Sequence, residues 1–278
     1  MKKTKRRILT VCIISAVLIA AAVIWFRIPY SPLRSDFESD IERLTADSRC
    51  KCSNDILGED DIAELPPLLQ DYLKTCGYIG TPCMSYMKME YHDVAFRQGR
   101  EGPSLRIDYT LYGIAAEPCR MAFIDSGMFG IPFQGYDYYE NGTGGMKGVL
   151  AKAITLFDER GDDMDRACLV TYLSECMFLP AILLDDDISF EQTDDNHVRA
   201  EITYAGQTAG GIFTFNDDNE MISFESDDRG EVPWTAKCSG YVISENGIKH
   251  PTDMQAVWNY PDGDFIYFDG KIGSIIYG

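Results

Sequence analysis

The sequence predicts an α+β protein in which one large, curved antiparallel β-sheet is combined with about three helices and preceded by one N-terminal transmembrane helix. Three observations lead to this fold class. A long apolar run without charge lies near the N-terminus. Apolar and polar residues alternate with a period of two in many later segments, which is typical of half-buried strands. The connections between these segments are short, which favours antiparallel pairing because parallel strands need longer crossovers.

The N-terminal element is a basic segment followed by the apolar run. Residues 1–7 carry five Lys or Arg residues, and residues 8–26 carry no charge. A run of this length spans a bilayer as a helix. Positive charge before it predicts a single-pass protein of the cell membrane, with residues 1–7 cytoplasmic and the rest extracytoplasmic. A cleaved signal peptide is the alternative, but the run ends in Trp25 and Phe26 instead of small residues, which favours retention.

The exported part is strongly acidic. Six of the 25 basic residues lie in or beside the apolar run, which leaves 19 against 44 acidic residues, a net charge of about −25. Such a surface repels nucleic acid and anionic lipid headgroups, so no nucleic-acid partner is predicted. It suits cations, cationic ligands or simple solubility, of which solubility is the commonest reason.

Residues 27–63 are polar and weakly periodic, which predicts a linker with one short helix around Asp36 to Thr45. The extracytoplasmic β-rich domain is predicted to span residues 64–278. It begins with a short helix from Leu65 to Leu73, since the prolines suit a first helical turn and Gly77 follows its end.

Strands are predicted wherever the alternation is clear. They fall in two groups, at residues 87–91 and 105–111, and at residues 198–204, 211–215, 221–225, 240–244, 255–260 and 265–268. Tight turns at Asn216 to Asn219 and at Pro261 to Gly263 indicate hairpins.

A helical insert is predicted between the two groups of strands. Gly148 to Phe157 has a helix-like pattern, and Asp165 is a suitable N-cap for a second helix with Tyr172 and Leu173 in its apolar stripe. This second helix should end before Pro180. We expect the helices to cover the concave face of the sheet.

The cysteines suggest disulfides but no metal site. Eight cysteines follow the apolar run, an even number that suits an oxidising compartment. Cys76 with Cys83, across the turn from Gly77 to Pro82, is the pair we expect first. Cys50 and Cys52 form a CxC motif without a second close pair, so no structural metal is predicted.

No recognised catalytic motif is present, and neither a cofactor nor a catalytic residue is predicted. The three histidines, His92, His197 and His250, are expected at the surface. The acidic clusters lack the EF-hand pattern and are expected to be solvated turns.

Glu175 is the acidic residue of most interest. It lies about 110° or more from the centre of the apolar stripe of its helix. It either faces solvent, which we favour, or is a buried acid paired with Arg166 or Arg120. A buried acid beside a sheet cavity is a candidate for general acid catalysis or cation binding.

The candidate ligand-binding residues surround this helix. They are Arg120, Tyr139, Asp165, Arg166, Tyr172 and Glu175.

Four segments resemble an uncharacterised bacterial family of membrane-anchored proteins, known as a domain of unknown function. They are LPPLLQDYL (65–73), DRACLVTYLSECMFLPAILL (165–184), ISFEQTDDNHVRAEITYAGQTAGGIFTFN (188–216) and YFDGKIGSIIY (267–277). The helical motif of the family is matched by Asp165, Arg166, Tyr172, Leu173, Glu175 and Pro180. The family has no assigned reaction, so the resemblance implies one domain of this layout and no catalytic residue.

The sheet pattern also resembles, at the level of the fold, carriers of lipoproteins and lipids, whose open half-barrel encloses an apolar cavity. This resemblance implies a half-barrel-like sheet with an apolar ligand on its concave face. Methionines and aromatic residues would then line the cavity, namely Met87, Met89, Tyr109, Met121 and Phe123. Ordinary core packing is the alternative for these five side chains.

The leading hypothesis is a non-enzymatic, membrane-tethered module that binds a hydrophobic or lipid-like ligand, or an envelope partner, outside the cytoplasmic membrane. The alternatives are a hydrolase or transferase with an acidic site near Asp165 to Glu175, and a structural interaction domain without a pocket. A carrier needs an apolar cavity, whereas an enzyme needs convergent polar groups with perturbed pKa values.

Overall fold

The computed structural model describes residues 2–48, 52, 55–128 and 130–278. The helices in these ranges are α1 (Lys2–Arg27), α2 (Pro32–Asp47), α3 (Pro67–Thr75) and α4 (Asp162–Glu175), and α4 is followed by two 3-10 turns, Cys176–Phe178 and Pro180–Leu184. The strands are β1 (Tyr86–Arg97), β2 (Ser104–Ile114), β3 (Cys119–Met128), β4 (Ile131–Glu140), β5 (Thr143–Leu150), β6 (Ile154–Arg160), β7 (Ile188–Gln192), β8 (His197–Tyr204), β9 (Gln207–Phe215), β10 (Met221–Ser226), β11 (Trp234–Ser239), β12 (Val242–Ile243), β13 (Lys249–His250), β14 (Asp253–Tyr260) and β15 (Gly263–Tyr277).

Within the described ranges, thirteen strands form one antiparallel sheet in the order β6-β5-β4-β3-β2-β1-β15-β14-β11-β10-β9-β8-β7. The sheet curls through 254° into a half-barrel, and β12 and β13 form a separate two-stranded ribbon. The C-terminal strand β15 joins the two halves by pairing with β1, with Met87 opposite Tyr277. The predicted fold class is confirmed.

The alternation read from the sequence corresponds to the two faces of the sheet. In β1, Met87, Met89 and Tyr91 are buried, whereas Lys88 and Glu90 point outward and form an ion pair at 2.6 Å. Because successive side chains in a strand point to opposite faces, this pattern commits one face of β1 to the core. Both predicted hairpin turns occur, between β9 and β10 and between β14 and β15.

The sheet is covered on both faces. The larger core lies on the concave face, where α3, α4 and the 3-10 turns pack. A smaller core lies on the convex face beneath α2, whose Phe37 ring lies 5.3 Å from that of Phe123 and 5.7 Å from that of Tyr136. Part of the segment expected to be a linker is therefore a helix that contacts the sheet, and the predicted domain boundary at residue 64 stays a prediction.

The predicted helix from Gly148 to Phe157 is wrong. This segment forms the end of β5, a turn and the first half of β6, with Gly148 opposite Phe157. A side chain at position 148 would place its Cβ 2.3 Å from the Phe157 ring, so glycine lets the ring pack across the strand pair. The apolar residues have a helix-like spacing in this segment because it combines the end of one strand, a turn and the start of the next strand.

The expected disulfide between Cys76 and Cys83 is also wrong. Cys83 is bonded to Cys52, with the two Cα atoms 6.1 Å apart. The segment near residue 55 lies alongside residues 81–83, where the Cys83 amide donates to the Asp55 carbonyl at 2.9 Å. Cys76 is instead a buried free thiol at the C-terminal end of α3.

The expectation of surface histidines holds for His92 and His197 but is wrong for His250. His250 is buried because the ribbon of β12 and β13 packs over the end of α3, where the Lys249 amide donates to the Cys76 carbonyl.

Candidate functional site

A cavity of about 170 Å³ lies between the concave face of the sheet and the C-terminal part of α4. Strands from both halves of the half-barrel contribute to its wall. Its apolar lining includes Tyr91, Phe96, Ile107, Leu111, Phe178 and Phe268. The volume is close to that of an engineered 150 Å³ cavity that binds benzene, so the space admits one apolar group of about that size.

A buried ionic cluster forms one side of this cavity. Arg120 on β3 has a side chain that is only 2% exposed. Its Nε and Nη2 donate to the two carboxylate oxygens of Glu175 at 2.9 and 3.1 Å, and its Nη1 donates to Asp137 on β4 at 2.6 Å. Nη2 also donates to the Tyr109 hydroxyl at 2.5 Å. Glu175 thus occupies the buried position paired with Arg120, and the favoured solvent position is wrong.

The position of Glu175 follows from the geometry of α4. The helix lies across the opening between the two edges of the curled sheet and contacts β4, β5 and β6 as well as β8 and β9. Its first turn is partly exposed, but Cys168 to Ser174 are buried on every side of the helix, so residues outside the apolar stripe in this C-terminal part are enclosed as well.

The cluster contains one cation and two carboxylates. Burial raises the pKa of Glu175 above its ordinary value of 4.5, the Arg120 charge opposes this shift, and Asp137 adds to it. Burial disfavours the charge of Arg120, but the attraction of Glu175, Tyr109 and Asp137 outweighs it, so the pKa of Arg120 is raised. Arg120 therefore stays charged, and Glu175 is the group whose ionisation is made costly.

A second cation, Arg229, lies at the cavity wall in the loop between β10 and β11. Its guanidinium carbon is 4.7 Å from the ring centre of Trp234 and 5.3 Å from that of Trp258. Its Nε donates to the Thr171 hydroxyl at 3.1 Å. None of the ion pairs of the described residues includes Arg229, although its charge lies near enough to lower the pKa of Glu175. Its direct contacts are therefore two tryptophan rings and a hydroxyl.

Arg229 is the residue that the sequence analysis missed. Its signal was a lone arginine in the acidic loop SDDRGEVPW, followed by a strand that begins with Trp234. The contribution of Trp258 came from β14, which is not adjacent in sequence, so only the fold assembles this arrangement.

Of the six predicted binding residues, the structure brings together only Arg120 and Glu175. Asp165 accepts a hydrogen bond from the Gly144 amide at 2.6 Å, and Arg166 pairs with Asp163 at the surface. Asp165 lies ten residues before Glu175 on α4, about 15 Å along the axis. The predicted acidic site spanning this helix is therefore not one site.

The other two predicted residues lie away from the cavity wall. The Tyr172 hydroxyl donates to the Ile114 carbonyl at 3.3 Å. Tyr139 is buried, and its hydroxyl has no hydrogen-bond partner among the described residues.

Of the five expected cavity liners, only Tyr109 is one. Met121 and Phe123 face α2 on the convex side, because Arg120 and Ile124 of the same strand occupy the concave side. Met87 and Met89 are ordinary members of the concave core.

A thiol beside the cluster, that of Cys168, is expected to be a poor nucleophile. Cys168 lies with its sulfur 3.8 Å from Asp137, and burial raises the pKa of this thiol to about 12. A protonated thiol is a poor nucleophile. The described residues contain no group of three or more His, Cys, Asp or Glu side chains arranged to hold a metal ion.

At the N-terminus, the described residues include one helical segment long and apolar enough to cross a membrane. Most apolar side chains of α1 are exposed in the structure. The helix contacts the β-rich part of the fold at its C-terminal end, where Trp25 and Phe26 are half-buried and Trp25 Nε1 donates to the Ala151 carbonyl.

Comparison with solved structures finds a crystal structure of a domain assigned to outer membrane lipoprotein sorting, from Vibrio parahaemolyticus. The two chains share 8% sequence identity, and their superposition has a TM-score of 0.39. The match covers 76% of this chain and 90% of the Vibrio chain. No curated protein matches. The model of one protein family matches residues 55–270. This match confirms the resemblance carried by the four segments, and the chain belongs to the family of unknown function DUF6544.

Proposed function

We propose that the chain is a membrane-tethered, extracytoplasmic module that binds an amphipathic ligand, with one apolar group in the cavity and an anionic group at Arg229. The observation that carries the proposal is the cavity itself. It is lined by apolar side chains from both halves of the sheet, and its wall includes a cation, Arg229, that forms none of the ion pairs of the described residues.

The membrane tether in this proposal is α1. Its apolar residues and the positive charge of residues 2–7 support insertion with the N-terminus in the cytoplasm. The β-rich domain would then lie outside, where a disulfide such as Cys52–Cys83 is stable.

The size of the cavity sets the strength of the apolar contact. Burying about 150 Å² of a ligand's apolar surface contributes about 4 kcal/mol, which alone corresponds to a Kd of about 1 mM. Micromolar binding therefore needs a second contact.

Arg229 is the cation available for that contact. Arg120 already donates to Glu175, Asp137 and Tyr109, and Lys237, which also lines the cavity, pairs with Asp264 at 3.6 Å. The two tryptophans hold Arg229 in place, so less side-chain entropy is lost when an anion binds.

The first test identifies what the natural protein carries. The full chain would be extracted gently from its own membrane and studied by native mass spectrometry, followed by extraction of any bound small molecule. A stoichiometric ligand with an apolar portion and an acidic group supports the proposal, whereas a protein that is empty in every preparation contradicts it.

The second test measures binding calorimetrically with straight-chain carboxylates and the alcohols of the same chain length. Ala256→Phe fills the cavity, because Ala256 lies in its wall opposite Ala236, and should abolish binding of both ligand series. Ala63→Phe makes the same change at an exposed position and should have no effect.

Arg229→Met should weaken carboxylate binding about 10- to 100-fold, or about 1.4 to 2.8 kcal/mol, and leave alcohol binding unchanged. Arg166→Met removes a surface arginine as the matched control. Equal affinity for the acids and the alcohols in the native protein would refute the role of Arg229 while leaving the apolar cavity in place.

A further inference from the structure

Four hydrogen bonds join the β5–β6 turn to the C-terminal end of α1 and to the residues that follow it, Ile28 and Tyr30. Lys152 in this turn is only 5% exposed. Its Nζ donates to the carbonyls of Trp25, Ile28 and Tyr30 at 3.2, 2.5 and 3.3 Å. In return, Trp25 Nε1 donates to the Ala151 carbonyl at 3.0 Å.

These hydrogen bonds, here called the joint, are stabilised by the charge of Lys152 at the end of a helix. The last carbonyls of a helix have no partners within the helix, and a cation there is stabilised by the helix dipole. Lys152 supplies both a donor and a charge, and none of the ion pairs of the described residues includes it. Ala151 and Lys152 both adopt left-handed backbone conformations, with φ of 55° and 61°, which non-glycine residues rarely do. The turn thus has a costly conformation that directs Lys152 toward α1.

The joint places the turn at a defined height relative to a bilayer. The apolar residues 8–26 of α1 are about 28 Å long as a helix, which matches the hydrocarbon core of about 30 Å. Trp25 and Arg27 then lie at the boundary with the headgroups, where tryptophan is favoured. Because Ala151 and Lys152 contact Trp25 directly, insertion of α1 as proposed above would hold the β5–β6 turn at the membrane surface.

Exposed apolar side chains follow the turn. Ile154 and Leu156 on the edge strand β6 are 56% and 54% exposed. They lie two and four residues beyond Lys152, hence within about 7 and 13 Å of it along the strand. Ile131 at the start of β4 is adjacent, since the Ala151 amide donates to the Pro132 carbonyl at 2.7 Å.

We propose that Ile131, Ile154 and Leu156, here called the β6 edge, insert into the interface of the same bilayer that holds α1, with Lys152 fixing the domain in that orientation. The inference rests on the proposed membrane insertion of α1 and goes beyond ligand binding. The occupant of the edge is the bilayer, because the edge is continuous with a helix that has the length and composition to span it. A fixed orientation would also hold the ligand cavity at a constant position relative to the lipid.

The chain provides a matched control. Ile243 on β12 is 73% exposed, so its side chain is as apolar and at least as accessible as that of Ile154. The β12–β13 ribbon joins the end of β11 to the start of β14. The opposite end of β14 turns at Asp262, which pairs with Arg100 in the β1–β2 turn, at the end of the sheet that also carries the β5–β6 turn. Ile243 therefore lies at the far end from the joint.

The test uses the full chain in phosphatidylcholine vesicles whose acyl chains carry bromine as a fluorescence quencher. A fluorescent non-natural amino acid replaces Ile154, Leu156 or Ile243, one position at a time. We expect at least threefold stronger quenching at positions 154 and 156 than at position 243. Equal quenching at positions 154 and 243, or none at position 154, would overturn the proposal.

Two further experiments test the Lys152 joint and the insertion of α1 separately. Lys152→Met should reduce quenching at position 154, and Lys147→Met, a change on the neighbouring strand β5, should not; quenching that is unchanged in the Lys152 variant overturns the role of the joint. Resistance of α1 to alkaline extraction reports insertion independently. Extraction of the chain by alkali would refute the proposed membrane tether itself. An inserted chain without quenching at position 154 would refute only the insertion of the β6 edge into the bilayer.

Discussion

Replacement of Arg120 by methionine is the most informative perturbation of the buried cluster. It removes the cation that donates two hydrogen bonds to Glu175 and one to Asp137 in a site where its own side chain is 2% exposed. Removing one partner of a buried ion pair leaves an uncompensated charge and costs about 3 to 5 kcal/mol. We expect a loss of this size in the free energy of unfolding at pH 7.

The loss should depend on pH in a definite direction. The pKa of Glu175 is already raised above 4.5 by burial, and Arg120 is the main influence that opposes the shift. A carboxyl group whose pKa is higher in the folded protein than in the unfolded chain favours folding when protonated, and it increasingly destabilises the fold as pH rises above the unfolded value. Without Arg120 this penalty grows, so the variant should be closest to the native protein near pH 4.5 and furthest from it at neutral pH.

Urea unfolding of the full chain in detergent, followed by tryptophan fluorescence, measures these differences. Arg166→Met is the control, because its ion pair with Asp163 is exposed and contributes at most about 1 kcal/mol. Adding Glu175→Gln to the Arg120 variant should recover part of the loss and flatten its pH dependence. A loss below about 1 kcal/mol for the Arg120 variant, or one that does not vary with pH, would refute the buried-charge account.

Two further predictions concern the scaffold. Replacing Cys52 by serine opens a loop of 31 residues closed by the bond to Cys83 and should lower the free energy of unfolding by about 3 to 4 kcal/mol, a difference that should vanish when both proteins are measured under reducing conditions. Phe37→Ala should lower the free energy of unfolding by about 3 kcal/mol, because it leaves a cavity in the convex core beneath α2. Glu38→Ala, on the exposed side of α2, should change it by less than about 0.5 kcal/mol. Equal effects of the two changes would show that α2 does not depend on this packing.

The sequence by itself determined the features that depend on local pattern. The apolar run of α1, the alternation in β1, β2 and β8 and the turn at Pro261 to Gly263 each express a preference within a few residues. Because the period of two determines which side chains share a face, it also predicted a sheet with one face in a core, and the short connections predicted that its strands pair antiparallel.

Only the tertiary structure decided which faces are buried and which distant residues meet. Glu175 is buried because α4 bridges two sheet edges that are distant in sequence, and Arg229 is held between tryptophans from two strands. Gly148 to Phe157 is a hairpin because cross-strand packing outweighed a helix-like spacing. For Glu175 and Arg229 the deciding contacts join segments far apart along the chain, and for Gly148 to Phe157 they join two strands across a tight turn; local periodicity encodes neither.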